Sequence, residues 1–77
     1  MITVELKRYG AKKELIEVAS LSEASQVVRS FITKYNLGSS TWEGGKVRIN
    51  RVLTNEISYN GSIWTWHKDW KKRIEVK

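Results

Sequence analysis

Ser20-Leu21-Ser22-Glu23-Ala24-Ser25-Gln26-Val27-Val28-Arg29-Ser30-Phe31-Ile32-Thr33-Lys34-Tyr35-Asn36-Leu37-Gly38 is the stretch on which the fold turns. Ala24, Val27, Val28, Phe31, Ile32 and Tyr35 recur at three- and four-residue steps, which lines one face of a helix with apolar groups. Ser20 and Glu23 have the spacing of a capping box, with Ser22 a competing cap two residues later. Ser25, Arg29, Ser30, Thr33 and Lys34 are expected to cover the outer face. Asn36 and Gly38 supply the stop, with Gly38 placed for a left-handed cap and Leu37 folding back on the last turn.

One apolar stripe needs one partner layer, and the rest of the chain reads as strands. Ile2, Val4 and Leu6 alternate with Thr3, Glu5 and Lys7, the period of a strand with one buried face. Residues 8–12 read as a turn around Gly10, and Lys13 to Ala19 as a second strand. Leu15 and Glu17 fall on one face of that strand, Ile16 and Val18 on the other. Trp42, in the loop after the helix, is expected to pack over the helix end or the sheet edge, because a large aromatic is costly to leave in water. Lys46 to Leu53 alternates as a third strand, and residues 53–56 read as a turn.

Ile57-Ser58-Tyr59-Asn60-Gly61-Ser62-Ile63-Trp64 reads as a hairpin around Asn60-Gly61, since both residues tolerate positive φ. A two-residue loop there sets Ile57 opposite Trp64. It places Ile57, Tyr59, Trp64 and Trp66 under the helix, with Ser58, Ile63 and Thr65 on the far face. Arg73 to Val76 has the alternation for a further short strand. The expected architecture is one α+β domain over residues 1–77: a two-layer sandwich of an antiparallel sheet of four to five strands with one helix on one face, in the order ββαβββ. The face away from the helix is polar and basic, a docking surface.

Composition narrows the function. Seventy-seven residues make one small domain. There is no Cys, which excludes disulfides and thiolate zinc sites, and four Trp supply burial in their place. The single His and eight dispersed acids form no carboxylate dyad and no metal cluster, so no cofactor is expected. No apolar run approaches the roughly 20 residues of a membrane span. Met1 to Glu5 lacks the basic start and apolar run of a signal peptide, which predicts a cytoplasmic protein. The net charge of +6 favours anionic partners.

Residues 66–77 concentrate that charge around Trp66, His67 and Trp70. Lys71, Lys72 and Arg73 suit phosphates or carboxylates, and Lys68 extends the set. Trp70 serves either as a core edge or as a stacking surface for a base. Lys12, Lys13, Arg48 and Arg51 extend the field, depending on sheet order, and the predicted partner-binding set is Arg48, Arg51, Lys68, Trp70, Lys71, Lys72 and Arg73. Small endoribonuclease toxins use one His on such a scaffold, and Asp69 has the spacing to share a strand face with His67, but a surface His in a charged segment is the more ordinary reading. Gly44-Gly45-Lys46 lacks the first glycine and the hydroxyl residue of a phosphate loop and precedes a strand, so it reads as a loop glycine pair.

The helix start Ser20-Leu21-Ser22-Glu23-Ala24 and the hairpin Ile57 to Trp64 resemble, in element order over most of the chain, small orphan proteins of phages and mobile elements. These include anti-CRISPR inhibitors with one helix on an antiparallel sheet. The resemblance implies a non-enzymatic protein that binds a CRISPR effector complex and blocks its DNA binding or cleavage. Many members are acidic mimics of nucleic acid. This chain is basic, which implies instead that it caps an acidic protein surface or contacts DNA or RNA directly. The expected partner is therefore an effector complex or nucleic acid, engaged by a monomer or homodimer.

Overall fold

The computed structural model describes residues 1–76, with Trp70 described by its backbone alone. Six strands form one sheet: β1 (Ile2–Leu6), β2 (Glu14–Val18), β3 (Lys46–Ile49), β4 (Val52–Ile57), β5 (Ile63–Thr65) and β6 (Glu75–Val76). Their order is β2-β1-β3-β4-β5-β6, and every pair is antiparallel. Among the described residues, the one α-helix, α1 (Leu21–Lys34), packs across a single face. The α+β expectation holds, while the count of four to five strands rises to six. Among the described residues, no helix is long and apolar enough to cross a membrane.

The helix forms as its periodicity requires. Ala24, Val28, Phe31 and Ile32 are buried, and Leu21, Val27 and Tyr35 pack beside them. Ser20 is the cap: it sits in extended backbone and its hydroxyl accepts from the Glu23 N–H at 3.1 Å. At the other end Asn36, not Gly38, takes the left-handed conformation, with φ 51°. The Asn36 N–H then reaches Thr33 O and the Leu37 N–H reaches Ile32 O at 2.9 Å, a Schellman closure that lays Leu37 against the core. Gly38 exchanges hydrogen bonds with the Thr41 hydroxyl instead.

Beneath α1 lie Val4 and Leu6 of β1, Val18 and Ile16 of β2, Val47 of β3, Ile57 of β4 and Ile63 of β5. The register pairs Ile2 with Val18 and Ile49, and Val4 with Ile16 and Val47, so the even positions of β1 share this face. Trp42 is buried at the helix end, its ring 5.8 Å from that of Phe31, as expected. Gly44 and Gly45 thread close to the sheet beside it. Gly45 donates to Glu5 O at 2.7 Å and accepts from the Ile57 N–H at 2.8 Å, so this segment bridges β1 and β4.

Two turns differ from expectation. The predicted long third strand breaks at Asn50-Arg51, whose φ values of 51° and 71° are both positive, as a type I′ hairpin demands. Residues 53–56, read as a turn, are β4. Asn50 suits the conformation and binds back to Met1: its N–H donates to Met1 O, and its Oδ1 accepts from the Met1 nitrogen at 3.0 Å. Arg51 does not suit it, since a left-handed non-glycine residue costs about 1–2 kcal/mol. Replacing it with glycine relieves that cost and adds unfolded-state freedom, so Arg51→Gly is expected to raise stability by roughly 0.5–1 kcal/mol. Thermal unfolding should shift upward by roughly 2–8 °C. A lower melting temperature would mean that the Arg51 side chain itself holds the turn.

The second difference is at Asn60-Gly61. Only Gly61 has positive φ, 90°. The Gly61 N–H closes on Ser58 O and the Ser58 N–H on Ser62 O, which makes a three-residue loop of Tyr59, Asn60 and Gly61. Asn60 Oδ1 accepts from the Ser62 N–H and from the Ser58 hydroxyl, which favours this form over the two-residue turn. The extra loop residue moves the register by one and exchanges the faces. Ile57 pairs with Ile63, and Glu56 with Trp64. Ile63, expected on the far face, packs under the helix; Trp64, expected in the core, lies on the far face; Trp66 is exposed. The turn itself docks on α1: the Ser25 hydroxyl donates to Gly61 O at 2.6 Å and Arg29 Nη1 to Tyr59 O at 2.7 Å. Ser25 and Arg29 therefore face the hairpin and are not merely outer-face residues.

Candidate partner-binding face

The face without the helix carries Thr3 and Glu5 of β1, Leu15 and Glu17 of β2, and Lys46 and Arg48 of β3. Leu53 and Glu56 of β4 and Trp64 of β5 complete it. It is not uniformly basic, because acids alternate with cations and Leu15, Leu53 and Trp64 add apolar area. Glu5, only 8 % exposed, lies on β1 between β2 and β3. A carboxylate that buried needs partners. Arg48 Nη1 of β3 lies 3.5 Å from it and Lys13 Nζ, just ahead of β2, 4.0 Å, so two cations from different parts of the chain converge on one acid.

On the β5 side the order is repeated. Arg73 bonds to Glu56 Oε1 and lies 4.4 Å from the centre of the Trp64 ring. The carboxylate and the aromatic face fix its guanidinium from two directions. Trp64 Nε1 and Thr54 Oγ1 are buried without a hydrogen-bond partner. Thr54 adjoins the irregularity in β3–β4 pairing, where Val47 pairs with Asn55 and Arg48 with Leu53.

The predicted partner-binding residues fall in three places. Arg48 and Arg51 line one depression, together with Met1, Thr3, Leu15 and Asn50. Arg73 and Trp64 line a second with the turn residues Ser58, Tyr59 and Asn60. These lie toward opposite ends of β4. Lys68, Lys71 and Lys72 are exposed on the segment between β5 and β6. The Trp70 side chain, predicted as a stacking surface or core edge, lies outside the described residues. Residues that sequence reasoning left out of the site are Leu15 and Lys46; Lys13, expected to extend the basic field, lies within ion-pair distance of Glu5. The alternation of β2 already set Leu15 apart from Ile16 and Val18, and an exposed leucine on the helix-free face was the available signal.

His67 and Asp69 meet in an unexpected way. The Asp69 backbone N–H donates to His67 Nδ1 at 3.0 Å, while the Asp69 carboxylate accepts from the Lys71 N–H at 3.2 Å. The carboxylate caps the 3-10 turn of Trp70–Lys72, and among the described residues no Asp–imidazole hydrogen bond orients His67. Among the described residues, no three His, Cys, Asp or Glu side chains group as a metal site. Comparison with protein-family models, curated proteins and solved structures gave no match.

Proposed function

We propose that the protein is a non-enzymatic binding module that docks the helix-free face of its sheet on an acidic protein surface. Following the resemblance to anti-CRISPR inhibitors, the partner is a nucleic-acid-processing effector complex whose DNA binding or cleavage the module blocks. The observation that carries the reading is the pair of anchored arginines. Arg48 on Glu5 and Arg73 on Glu56 and Trp64 are held in place before any partner arrives. A guanidinium has five N–H donors, and one carboxylate contact leaves the others to point outward. Donors fixed in advance lose little entropy on binding.

Pull-down with purified CRISPR effector complexes tests this directly. Retention on at least one complex, with loss of its DNA binding or cleavage, is expected; no retention on any effector type contradicts it. The second reading, direct binding of DNA or RNA, draws on Trp66, which is 40 % exposed beside His67 and Lys68 and offers a stacking face. Titration of labelled DNA and RNA at several salt concentrations separates the two. A phosphate interface weakens steeply as salt rises. Under the leading reading the labelled strands do not bind at physiological salt.

A further inference from the structure

The depression between β2, β1 and the β3–β4 turn has a more definite chemistry than the rest of the face. Leu15 is 57 % exposed and Met1 73 %, and with Thr3 they give it an apolar floor. Arg48 and Arg51 stand with Asn50 along its other side, around a space of about 470 Å³. Arg48 is held by Glu5, the cross-strand neighbour of Leu15, so its position relative to the floor is set. Arg51 is held in another way. Its backbone is left-handed at φ 71°, where glycine would sit without strain. A side chain kept at a strained position points to a use for that side chain.

We propose that this depression receives an apolar side chain from an acidic segment of a protein partner, with the neighbouring carboxylates of that segment taken by Arg51 and Arg48. The inference rests on the acidic-partner reading above and adds to it the site and the recognition chemistry. Apolar floor and paired guanidiniums match an apolar group flanked by acids, because burial of the first excludes water from the ion pairs of the second. Among the described residues, the lining contains no aromatic ring on which a base could stack, which sets the depression apart from the sites that single-stranded nucleic acids use.

The test is an amide-resolved NMR titration of the full chain with three probes. One is a blocked peptide alternating Asp with Leu; one replaces each Leu by Ala; one is an oligothymidylate. The leucine peptide is expected to move the amides of Thr3, Leu15, Arg48, Asn50 and Arg51. The alanine peptide is expected to bind about tenfold more weakly, through loss of apolar burial. Arg51→Gly, a variant expected to be more stable than the parent, should weaken the leucine peptide about tenfold through loss of a charge-assisted contact. Leu15→Asp should remove its binding. Shifts confined to Lys68, Lys72 and Arg73 would overturn the site and leave the acidic-partner reading standing. Stronger binding of the oligothymidylate at the depression would overturn the occupant. No shift with any anionic probe would overturn this inference together with the reading beneath it.

Discussion

Gly45→Ala is expected to cost about 3 kcal/mol or more, a large part of the roughly 4–11 kcal/mol that stabilises a domain of this size. Two causes act at once. Gly45 has φ 105°, which an L side chain rarely adopts. Its added Cβ would also press on the carbonyl of Ile57, and relief by moving the segment breaks the hydrogen bonds that join Gly45 to Glu5 and Ile57. The other glycines separate the causes. Gly10 has φ 79° but open space around it, so Gly10→Ala should cost only about 1 kcal/mol. Gly38 has neither constraint, and Gly38→Ala should be neutral or slightly stabilising, by up to roughly 1 kcal/mol. Chemical denaturation of the three variants checks the order. Equal losses at Gly45 and Gly10 would show that the close approach to Ile57 is easily relaxed.

Trp42→Ala should be as damaging, at roughly 3–5 kcal/mol. Trp42 is the largest side chain in the core and fills the corner between the helix end and the glycine segment. Its ring meets Phe31 on one side and comes close to Gly44 and Gly45 on the other. Truncation removes the packing that holds the loop against β1 and leaves a cavity that the backbone cannot readily close, since Thr41–Glu43 is bonded to Lys7 and Tyr9. Trp42→Phe keeps part of the fill and should lose about half as much. Urea melts followed by circular dichroism measure both, and a loss below about 1 kcal/mol for Trp42→Ala would contradict the packing described.

The helix was legible because its information is local: a cap at Ser20, a stripe at period 3.6 and a stop at Asn36 all lie within one stretch. β1 and β2 were legible for the same reason, since alternation alone assigns Val4, Leu6 and Val18 to the core. The turns were less so. Asn60-Gly61 announced a hairpin, but its loop length depends on side-chain hydrogen bonds from Asn60, and that one residue moves Trp64 out of the core and Ile63 in. Asn50-Arg51 carried no turn signal because arginine is disfavoured where the chain places it. The face was harder still. Composition shows the excess of cations, but Arg48 finds Glu5 across 43 positions and Arg73 finds Glu56 across 17, contacts that exist only once the sheet is assembled. The C-terminal cluster therefore read as one basic patch, whereas the fold turns Arg73 back onto the sheet and leaves Lys68 and Lys72 in solvent.

If an acidic partner docks on the helix-free face, as proposed, the charge of that face governs its affinity. The direct measurement is the affinity of the parent, Arg51→Glu and Lys34→Glu for the effector complexes retained in pull-down, at one fixed salt concentration. The two variants change net charge equally, but Arg51 borders the depression on the helix-free face and Lys34 lies on α1. Arg51→Glu is expected to lose about tenfold or more, while Lys34→Glu stays within about twofold of the parent. Equal losses in both variants, or an effect only in Lys34→Glu, would contradict it.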